Sequence, residues 1–320
     1  MYHLATVFPI VKRLRIPVSR DQALLLMLAL NELLLGVETY LAHSTSGTIV
    51  PKEWIPIIFG PVAGILLFLA GLLAIKRRSL AAVIASLIYL FSIVVGLLGM
   101  FFHLVRAALP LAPAGQQVSI PLFVWAPPIL GPLTFALVGL MGISAVWMEQ
   151  PADSGILTLL GGSRLTLPFS KTSAFFFMVG LGTLATVISS VLDHARTNFE
   201  NPWLWLPTGI GVFGSVVAVV LGSINLPRQS DLLTYVVAML LLVLVGMLGV
   251  ILHIQRNLAL ENTIVIERFL RGAPFLAPML FSDMGALGLI ILLDPREKQA
   301  DQAETMDQEN DGQLNELERE

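Results

Sequence analysis

Apolar residues gather in eight runs, at about 22–42, 55–75, 80–104, 121–147, 172–193, 204–223, 232–254 and 270–292, with short polar or proline-bearing stretches between them. A helix rises 1.5 Å per residue, so about 20 residues cross the roughly 30 Å of bilayer hydrocarbon. Every run has that reach. The strands of a membrane barrel take about 9–11 residues and alternate apolar with polar positions, and these runs do neither. The pattern predicts an all-α polytopic membrane protein with eight transmembrane helices.

Polar and rare residues between and within the runs recur at a fixed distance. RLRIPVSR at 13–20 matches RLTLPFSK at 164–171, an offset of 151, and at that offset His43 meets His194, Pro51 meets Pro202, Trp54 meets Trp205, Pro56 meets Pro207 and Gly60 meets Gly211. After a one-residue shortening, GLLGMFFH at 96–103 matches GMLGVILH at 246–253. Shared hydrophobicity does not produce aligned histidine, tryptophan and proline. The expectation is two four-helix repeats, residues 1–148 and 149–293, and an even number of spans in each makes the repeats parallel.

Composition confirms the solvent. The 320 residues are 56% hydrophobic and 13% charged, with a mean hydropathy of +0.81. A soluble chain carries roughly a quarter charged residues. There is no cysteine, which removes disulfides, thiolate metal sites, iron–sulfur clusters and cysteine nucleophiles. Of the 22 acidic residues, 10 lie between Asp294 and Glu320, so 294–320 reads as an acidic, disordered tail. No basic patch supports nucleic-acid binding.

Charge also sets an orientation. With the amino terminus inside, Lys12, Arg13, Arg15, Arg20, Lys76, Arg77, Arg78, Arg164, Lys171, Arg228, Arg296 and Lys298 are internal, against Lys52, Arg106, Arg196, Arg256, Arg268 and Arg271 outside. Twelve against six places both termini and the tail in the cytoplasm, in a cell inner or plasma membrane. Trp54, Trp125, Trp203 and Trp205 then mark the outer interface and Trp147 the inner one.

Four histidines share one depth. His43 and His194 stand 23 residues beyond Arg20 and Lys171, and His103 and His253 stand 24 and 23 beyond Ser79 and Ser230. At 1.5 Å per residue each is about 35 Å from the inner boundary, near the outer leaflet. Gly96 and Gly99 lie seven and four residues before His103, and Gly246 and Gly249 repeat this before His253, all on the histidine's own face. A glycine stripe lets a flat macrocycle approach the backbone. The pattern also suits small-residue helix packing, and a histidine at a helix end can be a plain interfacial anchor. Taken together, the residues point to two b-type haems with bis-histidine ligation, His43 with His103 and His194 with His253. Four histidines converging on copper or another transition metal, or no cofactor at all, are the alternatives.

Glu32 lies 11 residues into the first run and Glu38 six farther out, while the second repeat has Thr183 and Ser189 at those positions. Carboxylate chemistry therefore belongs mainly to the first half, with Glu38 the proton acceptor and Glu32 an inward relay, or with both as neutral hydrogen-bonding groups. Asp283 in the last run has no acidic counterpart. Pro127 with Pro132, and Pro274 with Pro278, break the fourth and eighth runs and free backbone carbonyls beside the histidine layer. Arg106, Arg256, Arg268 and Arg271 are candidate partners for haem propionates or for lipid headgroups, and Glu267 with Arg271 forms an i,i+4 pair.

The plan of two four-helix units with paired histidines, and Glu38 upstream of His43, resembles haem A synthase over roughly residues 20–293. The resemblance implies a duplicated haem-binding bundle. The functional expectation is electron transfer, or oxidation of quinol or another lipid-soluble substrate near the outer leaflet, with a quinone or redox protein as partner. A proton-coupled transporter or channel, or a cofactor-free subunit of a membrane complex, are the competing expectations.

Overall fold

The computed structural model describes residues 7, 18–45, 47–108, 112–151, 153–159, 162–258 and 264–293. Lys12, Arg13, Arg15, Glu261, Arg296, Lys298 and the acidic segment 294–320 lie outside the described residues, as does most of the 13–20 motif.

The protein is mostly helical. Six helices are long and apolar enough to cross a membrane: α1 (Arg20–Ser44), α2 (Trp54–Ala74, extended by a 3₁₀ turn at Pro51–Glu53), α3 (Arg78–Ala107), then, past the shorter α4 and α5, α6 (Lys171–Ala195), α7 (Trp205–Ser223) and α8 (Gln229–Leu258). The fourth and eighth apolar runs are broken near their starts, where the prolines place a break, and each yields two short helices. The fourth gives α4 (Ile120–Trp125) and α5 (Leu133–Val146), and the eighth gives α9 (Ile266–Arg271) and α10 (Met279–Ile291). Proline explains the break: Pro127, Pro128 and Pro132, and Pro274 and Pro278, each lack the N–H a continuing helix requires. At 14 and 13 residues, α5 and α10 reach only about 20 Å each.

A second departure from the all-helical expectation lies between α5 and α6. Met148–Glu149, Ile156–Thr158 and Arg164–Thr166 form a three-stranded antiparallel sheet, with Leu157 opposite both Glu149 and Leu165.

The helices are apolar outside and partly polar inside. Leu26, Leu30 and Val37 on α1, Ile58, Ile65 and Leu72 on α2, and Leu87, Leu90 and Val94 on α3 are exposed, whereas Asn31, Glu32, Ser92, Thr183 and Ser215 are buried. In water this arrangement would expose large apolar faces, so a lipid bilayer is the environment it suits. Two of the buried hydroxyls are met by backbone carbonyls: Thr183 donates to Val179 at 2.8 Å and Ser215 to Gly180 at 2.7 Å.

Packing is alike in the two halves. α1 packs on α2 and α5, and α3 on α5; α6 packs on α7 and α10, and α8 on α10. The short helices cross over, α4 resting on α6 and α9 on α1. Helix starts match as well. Ser19 and Ser170 are N-caps accepting from the Gln22 and Ser173 amides, at 3.3 and 3.1 Å, an interaction worth about 1 kcal/mol.

The Arg20 and Lys171 side chains, which the charge count places on the inner side, are buried where α1 meets α6. Lys171 Nζ donates to Asp21 Oδ2 at 2.6 Å and to the Trp147 carbonyl at 2.7 Å. Arg20 donates to Thr172 Oγ1 at 2.7 Å and to Asp21 Oδ1 at 3.0 Å. Glu149 of the small sheet accepts from the Lys171 amide at 2.8 Å. Two cations and their partners thus lock the two halves together, opposite the histidine end.

Candidate functional site

α1 and α3 run in the same direction and end together, which brings His43 and His103 side by side with ring centroids 6.0 Å apart and planes inclined at 56°. Each ring is held from behind. His43 Nδ1 bonds the Thr39 carbonyl at 2.8 Å, and His103 Nδ1 bonds the Pro128 carbonyl at 2.8 Å. A carbonyl only accepts, so Nδ1 carries the hydrogen and the lone pair of the neutral imidazole sits on Nε2. The Pro128 carbonyl belongs to the irregular stretch between α4 and α5, so the proline break supplies the group that orients His103.

These histidines line a cavity of about 150 Å³ at the ends of α1, α2, α3 and α5. Its body is apolar, formed by residues such as Leu35, Val95, Phe102 and Phe135, with Leu280 of α10 closing one side. Glu38 and Thr39 enter from α1, and Lys52, Glu53 and Arg106 stand around it near the helix ends. Arg106 lies 3.7 Å from Glu53, and Lys52 Nζ lies 4.7 Å from the Phe102 ring centroid. Leu35 is eight residues inward from His43 on α1, so the cavity penetrates about 12 Å.

One turn beneath its floor lies a polar layer. Asn31 and Glu32 precede Leu35, Ser92 precedes Val95, and Asp283 follows Leu280. Asn31 Nδ2 donates to both carboxylate oxygens of Asp283 at 2.9 Å, joining α1 to α10. Ser92 Oγ bonds Glu32 Oε1 and, at 2.7 Å, the Phe135 carbonyl oxygen. Glu32 and Glu38 are therefore separate: one is fully buried in this layer, the other lines the cavity.

The second pair is arranged similarly in part. His253 Nδ1 bonds the Pro274 carbonyl at 2.9 Å, as His103 does Pro128, and His194 lies within electrostatic reach of His253. The His194 ring meets Phe199 edge-on at 6.2 Å, and Phe199 stacks on Trp205 at 4.3 Å. Asp193 lies 3.7 Å from Arg196, the pairing that sequence spacing allows, rather than orienting His194. Among the described residues no three His, Cys, Asp or Glu side chains form a metal-holding group, so the four histidines do not converge on one ion.

The glycines before His103 and His253 accommodate neighbouring helix starts. A Cβ on Gly96 would stand 2.5 Å from the Ala136 nitrogen and one on Gly99 2.7 Å from Pro132; Gly249 faces Pro278 at 2.6 Å and Gly246 faces Ser282 in the same way. Of the four, Gly99 also borders the cavity. Glu267 and Arg271 are paired at 2.9 Å on α9.

Sequence reasoning passed over Asn31, Ser86, Tyr89 and Ser92. The last three recur every three residues in SLIYLFS, a polar stripe on one helix face that was legible as a signal. Comparison with protein-family models, curated proteins and solved structures gives no match for this chain.

Proposed function

We propose that the chain is a duplicated eight-span membrane redox protein, with α4–α5 and α9–α10 completing the fourth and eighth crossings and both termini in the cytoplasm. In this reading the histidine end faces the outer leaflet of a plasma or inner membrane, and a b-type haem binds between His43 and His103. The observation that carries it is the His43–His103 pair, 6.0 Å between centroids with both Nδ1 atoms tied to carbonyls. Two imidazoles with the hydrogen on Nδ1 are the donor type that would hold an iron centre through Nε2. The cavity, at about 150 Å³, has room for a benzene-sized group, so a macrocycle would have to part the surrounding helices, and Arg106 and Lys52 would then meet its two carboxylates. Gly96 and Gly246 are engaged in helix packing and are not assigned to the cofactor.

When bound, haem supplies one-electron chemistry. The chain's own residues do the rest. Thr39 and Pro128 fix the imidazole tautomers, the apolar lining excludes water, and Glu38 in the cavity wall accepts a proton released when a quinol is oxidised. His194 and His253 are proposed as the ligands of a second haem on the grounds of shared depth and of the carbonyl that holds His253.

Absorption spectroscopy of the purified chain tests this. A Soret band, with sharp α and β bands on reduction, is expected; His103→Ala should remove one haem and leave the His194–His253 haem in place. Unchanged haem content in His103→Ala, or no chromophore in the unmodified chain from haem-supplemented cells, overturns the assignment. Impermeant labelling of intact cells should reach 107–120 and not the segment after Asp294. Proton-coupled transport is the second reading, favoured by Glu32 and Asp283 in the buried layer, and flux without a chromophore would select it.

A further inference from the structure

Below the cavity the first half carries polar groups that the redox reading does not use. Glu32, Tyr89 and Ser86 are buried, at 0%, 0% and 6% exposure. Among the described residues, Glu32 Oε2, Tyr89 Oη and Ser86 Oγ have no hydrogen-bond partner. Ser86, Tyr89 and Ser92 recur at three-residue intervals on α3, so they follow one face and descend about 4.5 Å per step. Buried polar atoms are nearly always bonded, and where protein supplies no partner a buried water commonly does. Two such hydroxyls on one helix face, capped by a carboxyl, make a chain of groups that each give and take a hydrogen.

The Glu32–Ser92 contact adds a chemical constraint. Ser92 Oγ touches Glu32 Oε1 and the Phe135 carbonyl oxygen, yet a hydroxyl has a single hydrogen to give. Both contacts are hydrogen bonds at once only when Glu32 is neutral and its own O–H points to Ser92. Glu32 is the thirteenth of the 25 residues of α1, at its midpoint. The cavity floor, Leu35, Val95 and Phe135, is one turn away on one side; Tyr89 and Ser86 lie on the other. The titratable side chains that reach this region are Glu32 and Tyr89 from the first half and Asp283, bonded to Asn31, from the second.

We propose that the first half contains a proton path, in which Glu32 exchanges its proton with the histidine-end cavity on one side and, through the Tyr89 and Ser86 hydroxyls and bridging water, with the opposite membrane face on the other. In each passage an O–H bond at Glu32 breaks as one forms on water in the cavity, and a proton from the Tyr89 side restores it. One positive charge crosses, and nothing is oxidised or reduced. Leu242, Met239 and Val236 stand where the 150-residue register places Ser92, Tyr89 and Ser86 in the second half. The path therefore belongs to one half. It rests on the membrane-spanning reading and is independent of haem.

The test uses the full chain reconstituted in phosphatidylcholine–phosphatidylglycerol vesicles, with a potassium diffusion potential and an internal pH dye; the absorption spectrum of the same preparation is recorded separately. Proton flux should exceed that of protein-free vesicles. It should fall at least tenfold in Glu32→Gln and severalfold in Tyr89→Phe, and stay within twofold in Thr183→Val. Flux no greater than in protein-free vesicles, or undiminished in Glu32→Gln, overturns the path. Should Glu32→Gln fail to fold, dicyclohexylcarbodiimide decides on the unmodified chain, because it adds to protonated carboxyls in apolar surroundings. A Glu32 adduct by mass spectrometry, with flux lost in proportion, supports the path. No adduct there, or an adduct with full flux, overturns it. Flux without a Soret band, or the reverse, separates this inference from the haem assignment.

Discussion

The first and second halves pack their helices in matching pairs and fill them with different chemistry. Their long helices pack in the same pairs, their histidines are steadied by Pro128 and Pro274, and Gly99 and Gly249 admit Pro132 and Pro278 at nearly equal distances. Inside, the first half has Glu32, Ser86, Tyr89 and Ser92, and the second has Thr183, Val236, Met239 and Leu242. The same division appears where the halves meet. Asn31 binds Asp283 on one side, while on the other the corresponding positions are Gly182 and Leu137, in apolar contact. Backbone packing tolerates both fillings because a Thr hydroxyl bonds its own helix, whereas a carboxyl needs a partner from another. The polar layer therefore has to be assembled from three helices, and it stands under a cavity that Glu38 and the histidines enter.

The comparison breaks most sharply if the second half is made acidic. Leu137→Asp places a carboxylate with no partner opposite Gly182 at a partly buried position, at a cost of about 3 kcal/mol, the low end for an unpaired buried charge. Thermal unfolding in detergent should show that loss, and adding Gly182→Asn should recover part of it by recreating the Asn31–Asp283 bond. No recovery would mean that the two interfaces differ by more than these side chains.

Next in size is the functional contrast at the cavity. Glu38→Gln should slow quinol oxidation roughly 10²-fold if Glu38 is the proton acceptor, while Ser189→Ala should leave it unchanged. Equal kinetics in the two variants would reduce Glu38 to a packing residue.

The shared scaffold predicts equal, not unequal, responses. Gly99→Ala and Gly249→Ala should each destabilise by about 1–3 kcal/mol, because a methyl group at either must push a proline aside. Smaller still, Ser19→Ala and Ser170→Ala should each cost about 1 kcal/mol as lost helix caps. A difference beyond 1 kcal/mol within either pair, read from denaturation midpoints, would count against a common scaffold.

Six membrane-length helices were legible because a run of twenty apolar residues has one solvent and one hydrogen-bonded form available to it, whatever its neighbours. The breaks at Pro127, Pro128 and Pro132, and at Pro274 and Pro278, were visible too, but not that they would shorten two spans into split helices and hand carbonyls to His103 and His253. Equal spacing from Arg20 and Ser79 put His43 and His103 at one depth, which follows from helical rise alone. Their 6.0 Å approach does not follow from depth, because azimuth about the helix axis depends on packing.

Sequence also placed Arg20 and Lys171 on the inner flank, and it left the glycines open between room for a macrocycle and small-residue helix packing. Both residue types are ambiguous in isolation: a cation near a helix start can snorkel to water or be buried with Asp21, and a glycine admits whatever comes closest. The sequence by itself determined the six membrane-length helices and the depth of the polar groups along each, since these depend on local hydrogen bonding and hydrophobicity. Tertiary structure alone decided which polar groups meet: Ser92 with Glu32, Asn31 with Asp283, and Lys171 with Asp21. A buried charge or amide is stable only beside a partner, and the packing angles that bring one from a helix 60 to 252 residues away are not written in either segment.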